Sequence, residues 1–215
     1  MKDIQEGILL INKPRGRSSF SMVAQVRRLS GIRKVGHAGT LDPEAEGLLI
    51  VLVGKEYTKQ SDKFLKLDKT YEFTLKLGEN STTGDEEGEK MISANPAAAG
   101  PSKKAILDVL EGLQGTIEQT PPIYSAIKVN GQRAYKLAAK GQKPDLKPRQ
   151  ITIHKLELLD YNYPYLTLRS DVSSGTYIRS LGETIGELLG TGAYCTRIVR
   201  TRIGDYDIKD AVNLD

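Results

Sequence analysis

Apolar positions change period several times along the chain, and each change predicts an element. Gly7 to Asn12 reads as a short buried strand, ended by the basic turn Asn12-Lys13-Pro14-Arg15-Gly16. Phe20, Val23, Val26 and Leu29 then fall at helical spacing, with Ser18 or Ser19 as cap and Gly31 as stop. Leu48 to Val53 is an unbroken apolar run between glycines, the pattern of a strand covered on both faces. The stretch before it, Gly36 to Gly47, is rich in glycine and carries Pro43, which predicts a polar loop hung on a rigid strand. Residues 56–67 are polar and partly helical. From Lys69 to Leu77 the period becomes two, with Tyr71, Phe73, Leu75 and Leu77 on one face of an antiparallel strand.

The second half is less regular. Residues 78–101 predict an acidic loop containing Asp85, Glu86, Glu87 and Glu89, followed by the low-complexity Ala94 to Pro101. Ser102 caps a predicted helix through Leu113, with Ala105, Ile106, Val109, Leu110 and Leu113 on one face. Ile123 to Val129 predicts a strand closed by the Asn130-Gly131 turn, and a short helix follows around Tyr135. A Lys/Pro-rich loop at 140–149 leads to strands near 150–160 and 164–173. Ser173 to Thr176 starts a helix with Ile178, Leu181, Ile185, Leu188 and Leu189 on its face. A strand near 195–203 and a short helix from Asp207 end the pattern. Without a βαβ rhythm, this is α+β with a largely antiparallel sheet. If Thr176 caps the helix, Arg179 sits in the first turn, where its charge opposes the helix dipole by roughly 0.3–1 kcal/mol unless a carboxylate is near.

Composition adds limits. At 215 residues the chain holds one sizeable domain or two small ones. The net charge of +4 leans toward a polyanionic partner, and its distribution says more. Residues 1–40 carry Lys2, Lys13, Arg15, Arg17, Arg27, Arg28, Arg33 and Lys34 against only Asp3 and Glu6. Further basic groups stand at Lys140, Lys143, Lys147 and Arg149, and at Arg197, Arg200 and Arg202. Such clusters neutralise phosphates or simply form solvated faces. A single cysteine, Cys195, excludes an internal disulfide and fits a reducing compartment. His37 and His154 are the only histidines, too few for a Cys/His metal cluster. The amino-terminal apolar run is too short for a signal peptide or membrane span, so a cytoplasmic protein without a membrane partner is expected.

Candidate chemistry centres on His37 and Asp42 in the glycine-rich loop. Asp42-Pro43 also fits the start of a helical turn, with the Asp as cap and the Pro at the first helical position. Tyr71 by periodicity is a core-face residue, and Lys13 by itself a surface lysine. A phosphate-binding P-loop is excluded because Gly54-Lys55 is followed by Glu56 and the glycine spacing is wrong.

Five stretches taken together resemble the TruB family of tRNA pseudouridine synthases: Gly7 to Pro14 with Gly16 and Ser18-Ser19; Gly36-His37-Ala38-Gly39-Thr40-Leu41-Asp42-Pro43 with Gly47; Lys69-Thr70-Tyr71 with Leu77-Gly78; Pro121 to Lys128 with Gly131 and Tyr135; and Ser174 to Arg179. They occur in the family's order across nearly the whole chain. The resemblance implies a pseudouridine synthase fold with a central, largely antiparallel bent sheet flanked by helices, over residues 1–215 as one catalytic domain. It implies isomerisation of a T-loop uridine, position 55, of tRNA to pseudouridine by base flipping.

By position, the resemblance makes Asp42 the catalytic aspartate, Tyr71 the tyrosine that stacks on the target base and Arg179 the arginine that pairs with the aspartate. Lys13 falls at the active-site rim, His37 where the flipped substrate is held, Asp85 in the acidic loop, Ile198 in the pocket wall and Tyr177 beside Arg179 in the substrate-binding set. The chemistery breaks C1′–N1, rotates the base and bonds C5 to C1′, which calls for no cofactor and no metal. An ionised carboxylate serves as nucleophile or base, and a facing Arg stabilises its charge. Flipping a base costs a few kcal/mol, against about 1–3 kcal/mol returned by stacking on an aromatic.

Many family members continue into a C-terminal PUA domain, whereas this sequence stops at Asp215, and Tyr194 and Val199 replace a common His and Arg. Tight binding of the tRNA acceptor region is therefore not expected, and tRNA binding should be weaker and salt-sensitive; the expected partner is the tRNA T-arm, bound by a monomer without a guide RNA. The alternative is a tRNA-binding folding chaperone whose modification activity is incidental.

Overall fold

The computed structural model describes residues 4–92, 100–125, 127–129, 131–142 and 144–214. Most of the Ala94 to Pro101 stretch, Asn130 of the expected turn and Lys143 lie outside the described residues. In chain order the described residues form β1 (Gly7–Lys13), α1 (Ser19–Ser30), β2 (Val35–Ala38), β3 (Glu46–Val53), α2 (Lys55–Thr58), α3 (Ser61–Leu65) and β4 (Lys69–Leu77). There follow β5 (Glu79–Ser81), β6 (Lys90–Ile92), α4 (Lys103–Gly112), β7 (Gly115–Gln119), β8 (Lys128–Val129), β9 (Gln132–Arg133) and α5 (Ala134–Ala138). The chain ends with β10 (Arg149–Asn162), β11 (Tyr165–Val172), α6 (Ile178–Leu188), β12 (Ala193–Ile203), β13 (Tyr206–Asp207) and a 3-10 turn, Ile208–Asp210. The class is α+β, with a mixed sheet and flanking helices. Two compact units divide it, Met1–Glu72 with Ile198–Asp215 and Phe73–Arg197.

In the first unit β3 is central. It pairs antiparallel with β1, from Gly7 opposite Val53 to Lys13 opposite Gly47, and antiparallel with β2. Beside Glu46 and Gly47 it runs parallel to Val199 and Arg200 of β12, the contact that makes the sheet mixed. The apolar run is used on both faces, as its lack of alternation requires. Leu49, Val51 and Val53 pack with Met22, Val23 and Val26 of α1, while Leu48, Ile50 and Leu52 pack with Phe64 of α3 and Ile203.

Helix α1 begins where Ser18 accepts from the Ser21 N–H and stops at Gly31, whose φ of 71° is left-handed. One detail departs from the pattern. Phe20 is not on the core face but 65% exposed, and Met22 takes its place inside. The glycine-rich stretch is also not wholly loop, since Val35–Ala38 forms β2 and places His37 in a strand.

In the second unit β4 contributes Phe73, Leu75 and Leu77, all buried, and the strand order there is β4, β11, β10, β7. Strands β10 and β11 pair antiparallel with two register shifts, and β10 pairs antiparallel with β7. Strand β7 carried no clear apolar period, being Gly-Thr-Ile-Glu-Gln with only Gln119 buried. The acidic loop contains the short β5/β6 hairpin. The strand expected at 123–129 shrinks to Lys128–Val129, because Ile123 to Ser125 bend to meet neighbouring groups. Ser102 caps α4 as expected, accepting from the Ala105 N–H. Helix α6 starts one residue later than expected, with Tyr177 rather than Thr176 at its cap; the Thr176 hydroxyl instead donates to the Ser173 carbonyl. Gly186 lets α6 lie against the start of β12, where a Cβ would stand 2.3 Å from the Ala193 nitrogen.

Leu49 is fully buried in the α1-facing cluster. Leu49→Ala is expected to cost about 2–5 kcal/mol in urea unfolding; a loss below about 1 kcal/mol would mean that this face of β3 is not packed as described.

Candidate active site

Asp42 stands in a tight turn between β2 and β3. The Ala45 N–H donates to the Asp42 carbonyl at 3.1 Å, so Asp42-Pro43 opens a turn and not the helix that the dipeptide also permits. The loop is fastened from several directions. Ser19 of α1 donates to the Leu41 carbonyl and accepts from the Leu41 N–H, at 3.0 and 2.8 Å. The Gly16 N–H donates to the Pro43 carbonyl at 2.9 Å, and Arg15 pairs with Glu44 at 2.7 Å.

Lys13 is fully buried and donates to the carbonyls of Pro14, Arg17 and Pro43 at 2.9, 2.6 and 3.1 Å. It is thus a strut of the aspartate turn, not a surface lysine. Burial lowers its pKa to about 8, against the opposing pull of Asp42, Glu46 and Glu44.

Arg200, which the sequence placed in a basic cluster that either neutralises phosphates or forms a solvated face, is 1% exposed and lies beneath this loop. Its Nε donates to the Leu48 carbonyl at 2.8 Å, and its terminal nitrogens donate to Gly39 at 3.0 Å and Thr40 at 3.5 Å. One side chain therefore holds both ends of the segment that carries Asp42. The fit is close, since a Cβ on Gly47 would stand 2.4 Å from the Arg200 carbonyl oxygen, and Gly47 has φ of 103°. His37 is half-buried, its Nδ1 has no hydrogen-bond partner among the described residues, and burial followed by the charge of Arg200 lowers its pKa. Tyr71 of β4 and Ile198 of β12 belong to the same unit and are buried, 9% and 8% exposed.

The second unit contains Asp85, Tyr177 and Arg179. Arg179 is in the first turn of α6 and 5% exposed. Its terminal nitrogens donate to the Thr83 and Tyr124 carbonyls at 2.8 and 2.9 Å, and its Nε lies 3.5 Å from Asp85. This carboxylate offsets the cost of a cation at a helix N-terminus. Asp85 is itself held by the Thr83 hydroxyl and the Glu87 N–H. The Tyr177 backbone is clamped by the Gln119 side-chain amide, which accepts from its N–H at 2.8 Å and donates to its carbonyl at 3.0 Å. A cavity of about 270 Å³ opens beside Thr83, Tyr124, Ser180 and Glu183. Burial raises the Glu183 pKa, with Arg179 drawing it back down.

Sequence reasoning missed Arg200, Ser19 and Gln119 as supports. Ser18-Ser19 looked like alternative caps; Ser18 does the capping and frees Ser19 for the loop. Nothing local distinguishes Arg200 from Arg197 and Arg202, and only its place in β12 buries it.

The fold is that of the pseudouridine synthases. A solved Cbf5-Nop10-Gar1 complex matches 99% of this chain with a TM-score of 0.73 and 27% identity. The structure of an H/ACA RNP bound to a substrate RNA containing 2′-deoxyuridine matches 98%, with a TM-score of 0.72 and 25% identity. The chain spans about half of those two chains, 53% and 52%. In sequence, residues 27–178 match the TruB family pseudouridylate synthase (N terminal domain). The tRNA pseudouridine synthase B of Protochlamydia amoebophila (strain UWE25) is 45% identical over 208 residues, 97% of this chain and 78% of that protein. That of Chlamydia pneumoniae is 39% identical over 211 residues, 98% of this chain and 88% of that protein. This chain therefore belongs to the TruB family of pseudouridylate synthases, and it is an isomerase.

Arg200→Met leaves the three loop carbonyls without their donors and is expected to remove about 3 kcal/mol of stability in urea unfolding; a loss under about 1 kcal/mol would show that the loop is held by other groups. A second expectation concerns pH. Lys69, buried and donating to the Leu65 and Leu67 carbonyls, has its pKa lowered to about 8 by burial and then by Arg200. Between about 8 and the ordinary lysine value of 10.5 the unfolded chain holds a proton that the folded one has lost, so stability rises with pH across that window. The unfolding free energy of wild type relative to Lys69→Met should therefore increase from pH 8 to pH 10.5, and a flat or falling difference would contradict the assignment.

Proposed function

We propose that this chain acts on tRNA, converting a T-loop uridine, position 55, to pseudouridine without cofactor, metal or guide RNA. The observation that carries the reading is a single aspartate, Asp42, presented on a turn held by Lys13, Ser19 and Arg200 in a chain of this family. A loop restrained at both ends keeps its carboxylate in one place, which is what attack on a flipped nucleotide demands. The names of the two bacterial relatives support tRNA as substrate.

Asp42 supplies the carboxylate that acts on the ribose or base, as nucleophile or as general base. In this reading Tyr71 stacks on the extruded uracil, offsetting the cost of unstacking. His37 holds the flipped nucleotide and Ile198 lines its pocket. Arg179, fixed by Asp85 and the Thr83 and Tyr124 carbonyls, is the rigid guanidinium that serves the negative charge of the reaction, with Tyr177 beside it. Lys13 acts through the position of the Asp42 turn. The glycosidic bond from C1′ to N1 breaks, the base rotates, C5 bonds to C1′, and the C5 hydrogen leaves as a proton. N1, released from C1′, takes up a proton in its place, so atoms and electrons balance without any other reactant.

The test is tritium release from tRNA transcripts labelled at uridine C5. Wild type should release label from the T loop, and Asp42→Asn should lose about 10³-fold or more, roughly 4 kcal/mol of barrier, while binding the same RNA within about threefold. Release by Asp42→Asn at the wild-type rate would overturn the catalytic assignment. Absence of release from both proteins with binding intact would favour a tRNA-folding role.

A further inference from the structure

From residue 13 to residue 34 the chain carries Lys13, Arg15, Arg17, Arg27, Arg28, Arg33 and Lys34, and not one Asp or Glu. Two of these cations are accounted for: Lys13 is buried on backbone carbonyls and Arg15 pairs with Glu44. The other five have no carboxylate within ion-pair distance among the described residues. Four of them, Arg17, Arg28, Arg33 and Lys34, are exposed, and Arg27 is half-buried.

The exposed side of α1 is ordered as well as basic. Phe20, Ala24 and Arg28 follow at intervals of four and are all exposed, so they form one stripe along the helix. Phe20 is 65% exposed although its spacing matches that of core residues. Arg27, one step aside, is anchored by donating to the Val35 carbonyl at 2.6 Å, and its guanidinium lies 5.8 Å from the centre of the Phe20 ring. The small Ala24 between them leaves the middle of the stripe low. At its N-terminal end, α1 is joined to the aspartate loop through Ser19 and Leu41.

We infer that this stripe of α1, with Arg33 and Lys34 beyond its end, docks the phosphate backbone of the RNA stem that closes the loop carrying the target uridine. The identity of that RNA rests on the function proposed above. The helix has 12 residues and so runs about 18 Å, on the order of six base pairs at a rise of about 3 Å each. A duplex of RNA offers a wide, shallow groove bordered by phosphates and 2′-hydroxyls, which suits a low helix face flanked by cations and bearing one aromatic. A membrane surface fits less well, because such a helix needs a broad apolar face and this stripe has a single large apolar residue. The aspartate loop at one end then makes the stem the arm that sets KM, while the turn at Asp42 sets kcat.

Hairpin RNAs carrying the target uridine, with stems of seven and three base pairs, test this on the full chain. The triple variant Arg28→Gln, Arg33→Gln, Lys34→Gln keeps the core of α1, and a Phe20→Ala variant tests the aromatic separately. On the long stem the triple variant should raise KM about tenfold or more with kcat at saturation unchanged. The slope of log affinity against log salt should fall by about 2 to 3. On the short stem it should match wild type. Affinities are measured on the Asp42→Asn background too, so that a loss of the stem effect is distinguished from a failure of the proposed chemistry. Unaltered KM and salt slope on the long stem would overturn the inference, as would an equal loss on both stems. Anionic vesicles or an acidic peptide that displace the long-stem RNA from wild type but not from the triple variant, with no preference for stem length, would also overturn it.

Discussion

A fully buried guanidinium is costly unless its donors are satisfied, and in this protein Arg200 meets that demand with the carbonyls of Gly39, Thr40 and Leu48. The constraint works in both directions. The arginine is tolerated inside because the loop bends back on it, and the loop holds its bend because the arginine occupies its carbonyls. Gly47 is required at the point of closest approach, and the parallel pairing of β12 with the start of β3 follows from the same contact. The charge also spreads its influence, depressing the basicity of Lys13, His37 and Lys69 alongside burial. Asp42 is thus borne by a segment whose geometry is decided from below.

The second unit repeats the theme with different means. Arg179 is placed at the start of a helix, against the dipole, and is made acceptable there by Asp85 and two loop carbonyls. Both arginines donate to backbone oxygens, which satisfies their N–H groups and fixes their orientation. Fixed orientation is the property that a catalytic guanidinium or carboxylate needs, because a group that must reorganise during reaction loses much of its effect. Lys13 follows the same logic at the aspartate turn, where three carbonyls surround one ammonium.

Much of the fold was legible because the period of apolar residues reports directly on how many faces an element buries. The alternation in β4, the unbroken run in β3 and the capped helices α1 and α4 all form as their patterns indicate. The pattern failed where stability comes from pairing more than from burial. Strand β7 is held by its register with β10, β2 is a short edge partner of β3, and the expected strand at 123–129 gives most of its length to the loop that supplies the Tyr124 carbonyl to Arg179. Phe20 failed for another reason: helical spacing marks a face but does not say where that face ends, and Met22 completed the core first.

By itself the sequence determined the class of elements, the order of the family's motifs and the chemical identity of the candidate site, since residue types and local spacing are properties of the chain. Asp42, Arg179 and Asp85 were named as candidates through the family resemblance that those motifs carry. Tertiary structure alone decided which of several similar residues supports them. Arg200 differs from Arg197 and Arg202 only in being carried under a loop some 150 positions earlier in the chain, and Ser19 differs from Ser18 only in facing Leu41. Burial, charge compensation and hydrogen-bond satisfaction depend on neighbours brought together by folding, and no local pattern encodes those neighbours.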